Sequence, residues 1–350
     1  MSQTLFTNSE LVGQLGLPES ILTELAESQG EEFSAKANEF ISTLINKIVY
    51  TKVARMSFSN PFGKFEGFPV EFGDTIENIF VELPKGYKFD KDATDPFTKK
   101  TPAAKVWYAT INYEMQYCVT IQDDLLRRAV KSRYGLMNLV ENILAQLGTA
   151  KELDEYQAQI RVLNNADLYA GEAFETLDVS EEATDAAKYK KIGFDIVSKV
   201  NDFCLPSDEN NAGGVMEVSS RDDVLLIIKQ SLLDHINWDY LAGVYNLSKT
   251  ELVKHIITVR GFQVVQDPVA PSTEPTVVGE DIDYIVMDTR CFDNHTCLQD
   301  GSAIYNPKGR YTNHYTNLWK IMSFKKFHNA KAVKIQYTAA AANAGESQGE

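Results

Sequence analysis

The residues best equipped for chemistry are few and scattered. Cys291, His295 and Cys297 form a C-x3-H-x-C run that would bring two soft ligands and an imidazole into one loop. Structural zinc needs four ligands in tetrahedral geometry, and no fourth stands nearby, so the run is read as coincidence. Asp208, Asn210 and Gly213 begin like a calcium loop, but Ala212 and Ser219 stand where an oxygen ligand and the closing Glu belong. Asp123 with Asp124, and Asp222 with Asp223, are adjacent carboxylates. Neighbours on a helix point about 100° apart, which suits capping and solvation better than a shared proton. His235 and His255 stand beside apolar residues in expected helices and read as core or boundary histidines. Lys188, Lys190 and Lys191 read as a solvated helix face. Tyr311, Tyr315, Trp319, Phe324 and Phe327 could stack bases, but no arginines interleave them, and sheet core or subunit contact is the better reading. Dinucleotide, phosphate-loop, zinc-hydrolase and serine-hydrolase signatures do not occur. The chain is therefore not read as an enzyme, and no cofactor or metal is expected. An enzyme with an unrecognised site stays open as a different-class alternative, suggested only by the Cys291 to Cys297 loop.

The elements that would position these residues must come from a chain of 350 residues, enough for roughly two domains. Its 34 basic and 49 acidic side chains leave a net charge of -15, so the average surface repels phosphate and a nucleic-acid reader would need a basic stripe. Only short Lys pairs occur. The opening MSQTLFTNSE lacks a basic segment followed by an apolar core, and no apolar run approaches the roughly 18 residues of a membrane span. A soluble, cytosolic product without membrane contact is expected, in which the four cysteines stay thiols.

Short helices are expected over the first fifty residues, then a Pro and Gly-rich run at 60–73 and a strand through Ile79, Val81 and Leu83. From Trp107 to Ile121 the odd positions are Trp107, Ala109, Ile111, Tyr113, Met115, Tyr117, Val119 and Ile121, and the even ones are mostly polar. Only period two sorts residues so cleanly. One strand of that length would span roughly 50 Å at about 3.3 Å per residue, against a radius of gyration of about 20 Å for a compact chain of this size. Paired with the Ile79 strand, it predicts a hairpin whose tip leaves the globule and whose apolar face is covered by another chain. The inter-subunit contact candidates are Trp107, Ile111, Tyr113, Met115, Ile79 and Val81. A long curved strand within one large sheet is the alternative.

Thr120 is expected to cap a short helix, and a long helix follows Gly135 through Leu136, Leu144, Leu153, Tyr156, Ile160 and Leu163 to about Tyr169. Residues 170–184 read as an acidic loop. Helices are expected at 185–203, 231–245 and 249–255, and strands at 224–228, 256–259 and 284–287. Strands also close the chain at 311–327 and 333–337 before a loose tail.

This order of elements resembles the Hong Kong 97-type coat fold of tailed phages. More closely, the chain is similar to the major capsid (head) proteins of short-tailed, phi twenty-nine-like phages of Gram-positive hosts. The resemblance is carried by NPFGKF at Asn60 to Phe65, DTIENIF at Asp74 to Phe80, TIQDD at Thr120 to Asp124, DEY at Asp154 to Tyr156, NPKGRY at Asn306 to Tyr311, and Tyr315 to Ala332. Each motif alone is weak; their collinearity from about residue 10 to 340 makes the case. Some relatives carry an immunoglobulin-like C-terminal domain, and no room for one is seen here.

The resemblance implies an α+β chain with an N-terminal arm at 1–59 and an extended β-hairpin loop at 60–119. A peripheral domain with a spine helix would take 120–184 and 305–340, an axial domain 185–304, and a flexible tail 341–350. It implies self-assembly into pentamers and hexamers of an icosahedral or prolate head that encloses double-stranded DNA without sequence-specific binding. The implied partners are copies of itself, scaffolding protein, a portal or connector and head fibres. The implied location is the virion, with host cytoplasm during assembly. An encapsulin-like compartment shares the fold and is the alternative. Within a head, the acidic balance reads as a wall that does not hold phosphate.

Overall fold

The computed structural model describes, apart from a few isolated positions, residues 58–71, 75–84, 101–125, 135–171, 174–238, 255–266 and 276–338. The expected N-terminal helices, the connection before residue 101, the helix at 249–254, most of the Pro-rich loop after 266 and the tail lie outside them. So do the side chains of Leu136 to Leu144.

The described strands are β1 (Ile76–Val81), β2 (Ala104–Ala109), β3 (Tyr113–Gln122), β4 (Glu175–Ser180), β5 (Val224–Lys229), β6 (His255–Val259), β7 (Val264–Gln266), β8 (Thr276–Val278), β9 (Tyr284–Asp288), β10 (Phe292–Asn306), β11 (Tyr311–Phe324) and β12 (Ala330–Thr338). The helices are α1 (Gly135–Leu163), α2 (Asp185–Phe203) and α3 (Gln230–Leu233). The chain is α+β. It forms two compact units, one of residues 1–74, 110–158 and 294–322, the other of residues 75–109, 159–293 and 323–350. These cuts fall elsewhere than the segments expected from the sequence, because β4 and β12, from either side of 185–304, join β9, β5 and β6 in one sheet.

That mixed sheet, in the order β4-β12-β9-β5-β6, organises the second unit. β9 runs antiparallel to β12 and β5, while β4 and β6 run parallel to their neighbours. The central strands VLLIIK and YIVMD are buried on both faces, so they are apolar without alternation. On α2, Ile192, Ile196, Val197, Val200 and Phe203 recur at helical spacing and join Val224, Leu226, Ile228, Tyr284 and Val286 in one core. Asp185 in the first turn of α2 complements its dipole.

A polar chain crosses this core. The buried Tyr284 hydroxyl donates to Asp195, Lys199 bridges Asp195 at 2.8 Å and Glu175 at 2.9 Å, and Lys331 reaches Glu175 at 3.1 Å. Burial alone would pull the Lys199 ammonium down, but its bonds to Asp195 and Glu175 outweigh that and hold its pKa above the ordinary value. Burial, then the Asp195 charge, pushes the Tyr284 phenol far up.

In the first unit the order is β10-β11-β3, with β11 antiparallel to β3. The NPKGRY motif makes the β10–β11 turn. The Asn306 side-chain oxygen Oδ1 accepts from the backbone N–H groups of Lys308 and Gly309 at 3.1 Å each, and Arg310 takes the left-handed region at φ 52°.

Several expectations are corrected. The strand from Trp107 to Ile121 is not continuous: it breaks at Thr110–Asn112, where the Asn112 amide donates to the Met322 carbonyl at 2.7 Å and its oxygen accepts from Met322 N–H at 2.8 Å. A side chain there replaces one step of backbone ladder. The break leaves the parity of the alternation unchanged, so the sequence pattern runs through it. Thr120 is no helix cap; it lies in β3 and donates to Asn313 at 2.7 Å, and helix begins only at residue 123. The acidic loop at 170–184 contains β4, and the Cys291 to Cys297 run is a 3-10 turn entering β10. The expected helix at 231–245 opens as the four-residue α3. His235 stands in the following turn, stacked on Tyr189 at 4.7 Å, while His255 opens β6. The expected long helix continues through Gly148 but ends at Leu163.

Leu226→Ala should lower the free energy of unfolding by about 2–5 kcal/mol, because Leu226 is fully buried in the central strand β5 and its truncation leaves a cavity. A denaturant titration of the soluble subunit checks this.

Candidate subunit interface

The hairpin of β1 and β2 pairs Ile76 with Ala109 and continues to Val81 with Ala104. Directly opposite residues share a face. Asn78 opposite Trp107 and Phe80 opposite Lys105 therefore make one face, and Glu77 opposite Tyr108 and Ile79 opposite Val106 make the other.

The first face is held by its own chain. Asn78 donates to Asp293 at 2.7 Å, and the Phe80 ring lies 5.7 Å from that of Phe327. The Lys326 ammonium sits 4.1 Å from the centre of the Trp107 ring. Lys105 donates to the carbonyls of Gly213 at 2.8 Å and Gly214 at 2.9 Å. A Cβ on Gly213 would come within 2.7 Å of Phe327, so glycine permits this approach. The second face is bare among the described residues: Ile79, Val81 and Tyr108 are each 58% exposed and Val106 43%. Tyr108 donates to Glu77 at 2.9 Å, and that bond raises its phenol pKa.

The six sequence candidates thus divide. Trp107 lies on the covered face. Tyr113 is buried in β3, where its hydroxyl meets that of Tyr117 at 2.9 Å and burial pushes its pKa up to about 12. Ile111 is half-buried in the strand break, and Met115 is exposed opposite Leu318. Ile79 and Val81 are the exposed pair, on the face opposite Trp107. Val106, Tyr108 and the exposed Leu83 were missed; Val106 and Tyr108 occupy even positions, and only the register with β1 reveals the face they share with Ile79.

A second constellation packs the motifs together. In β11, Lys320 is buried, with its ammonium 2.9 Å from Glu155 of α1 and 3.2 Å from Glu66. Burial would raise the Glu66 pKa, but Lys320 and the Thr296 hydroxyl overcome it and hold the carboxyl below its usual value. Beside it, Phe62 stacks on Tyr156 at 5.9 Å, and the Asn60 amide N–H donates to Glu152 at 2.8 Å. NPFGKF, DEY and the Trp319 segment therefore converge. On α1, Glu155 and Gln159 are buried while Leu153 is exposed, against the apolar face read from the sequence. The buried lysine draws a carboxylate inward.

Among the described residues, no group of three or more His, Cys, Asp or Glu could hold a metal, and no helix is long and apolar enough to cross a membrane. The His295 ring meets the Phe68 carbonyl at 2.7 Å, and Cys291 is buried. Lys188 pairs with Asp185 at 3.7 Å, and Lys191 donates to the Asp178 carbonyl. Phe324 and Phe327 are core, so the aromatic run is no continuous platform.

The model of the family described as Phi29-like phage major capsid protein matches residues 17–334. The chain belongs to that family. It is 25% identical over 354 residues to the major capsid protein of Bacillus phage PZA, covering 93% of this chain and 75% of that protein. It is 28% identical over 300 residues to the major capsid protein of Bacillus phage B103, covering 84% of this chain and 63% of that one. The capsid structure of Staphylococcus phage Andhra shares the fold with a TM-score of 0.61 at 10% identity, over 82% of this chain and 88% of that one. The function of the family is that of the capsid subunit in the phage virion. This does not favour the encapsulin alternative.

Two outcomes follow for the buried ion group. Lys320→Met, which strands Glu155, should cost about 3–5 kcal/mol of stability by calorimetry or denaturant titration. The Glu66 carboxyl has a folded pKa below 4.5, so its contribution is present above the unfolded value and is lost as pH falls through the folded one. The stability deficit of Glu66→Gln should therefore be largest at neutral pH and vanish under strongly acidic conditions.

Proposed function

We propose that this subunit closes into pentamers and hexamers of an icosahedral or prolate phage head and encloses double-stranded DNA without reading its sequence. The observation that carries the reading is the family match, which spans nearly the whole chain. Scaffolding protein, a portal or connector and head fibres are its further partners, and assembly takes place in the host cytoplasm. The subunit performs no catalysis. Its net charge of -15 suits a wall that does not bind packaged phosphate.

The β1–β2 hairpin serves as the extended loop, α1 as the spine, and β5, β6 and β9 as the part of the five-stranded sheet that belongs to the axial domain. Ile79 and Val81, joined by Val106 and Tyr108, form the contact with a neighbouring copy; Ile111 and Met115 belong to the other unit and are not assigned to it. Trp107 holds the arm from within its own chain. An apolar face placed on a ribbon whose other face is anchored is the feature that supports this assignment. Head-to-tail contacts generate rings where the rotation between neighbours closes.

The double substitution Ile79→Asp and Val106→Asp should leave the subunit folded, yet reduce the yield of shells co-expressed with scaffold by about tenfold or more, since two carboxylates would be desolvated in the contact. Negative-stain electron microscopy and sedimentation read the yield. Shells at the parental yield would remove the hairpin from the contact.

A further inference from the structure

Strand β3 leaves one side of its main chain open. The Asp123 amide donates to the Arg310 carbonyl at 3.1 Å, in register with a pairing that runs from Tyr311 opposite Gln122 to Lys320 opposite Tyr113. In an antiparallel ladder alternate residues turn both backbone groups toward the same neighbour. The odd residues of β3 therefore bond to β11. Glu114, Gln116, Cys118, Thr120 and Gln122 direct their N–H and C=O groups away from it. Among the described residues no backbone group meets them there, and all five side chains are exposed.

Free edges of this length are normally blunted by lysine, proline or a bulge. Within Tyr113–Gln122 there is neither lysine nor proline, and the register with β11 is unbroken. The strand has ten residues, against about five or six for an average strand. Two of these side chains are engaged across the sheet: Gln116 donates to Asn317 and Thr120 to Asn313, both at 2.7 Å. The chemistry left over is a row of peptide groups, which binds an extended strand whatever its side chains.

We propose that the outer edge of β3 is a strand-addition surface for a second copy of this chain. An extended segment of the neighbouring subunit hydrogen-bonds to the main chain of Glu114, Gln116, Cys118, Thr120 and Gln122 and lengthens the sheet from three strands to four. This rests on the shell reading above. It names a copy as occupant because a shell subunit meets copies of itself in fixed stoichiometry, and because a row of peptide groups pairs with an extended strand whatever its side chains.

Gln116→Pro tests the proposal, since it deletes one outward N–H and leaves the ladder to β11 intact, and proline is tolerated at such edge positions. Gln116→Ala controls for the lost side chain. The proline variant should keep the parental circular dichroism and melting midpoint but yield about tenfold fewer shells, while the alanine variant assembles like the parent. A proline variant that assembles at the parental yield overturns the proposal. Should the proline variant not fold, hydrogen exchange decides on the parent itself: the amides of Glu114, Gln116, Cys118, Thr120 and Gln122 should exchange at least about tenfold more slowly in shells than in unassembled subunits. Equal rates in the two states overturn the edge pairing and leave the shell reading standing. A parent that never forms shells overturns the shell reading and the pairing with it.

Discussion

The buried ammonium of Lys320 is the constraint around which the first unit is built. A cation taken out of water costs several kcal/mol unless carboxylates meet it, and they must be delivered at hydrogen-bond distance. Glu155 comes from α1 and Glu66 from the segment after the NPFGKF turn, so strand, helix and loop are tied at one point. The pairing accounts for features that look unrelated. It explains why α1 buries Glu155 and exposes Leu153, why Phe62 is seated on Tyr156, and why three separate motifs of the family meet in space.

The hairpin follows a different logic. Its covered face is held by directional contacts: an amide to a carboxylate, an ammonium over an indole, a lysine on two glycine carbonyls. Such contacts fix orientation at modest apolar cost. The hydrophobic side chains are thereby left on the other face, which is an unusual allocation for a subunit meant to stay alone. The proposed contact with a neighbouring copy would give that face its use.

Much of the fold was legible from residue spacing. The helix at 185–203 and the central strands β5 and β9 agree closely with their expected positions, because each buries a full face or both faces and so carries a strong period. β4 was hidden, since an edge strand with Asp178 on its exposed side reads as an acidic loop. β10 was hidden because its buried residues include Asp293, Asn294 and His295, which erase the apolar alternation. The break before Tyr113 could not be read at all. Odd residues remain inward on both sides of it, and the partner that stabilises it, Met322, stands about two hundred residues away.

The candidate interface was half legible. Ile79 and Val81 were named from their alternation, and so was Trp107, but the three were placed together when the structure puts them on opposite faces. The sequence by itself determined that a two-faced alternation runs from Trp107 to Ile121, and which family the collinear motifs resemble. Periodicity and motif order are local or one-dimensional properties and survive without coordinates. Only the tertiary structure decided which face is spent inside the chain and which is left over. That depends on cross-strand register and on contacts from Asp293, Lys326 and Phe327, which no spacing along the ribbon encodes.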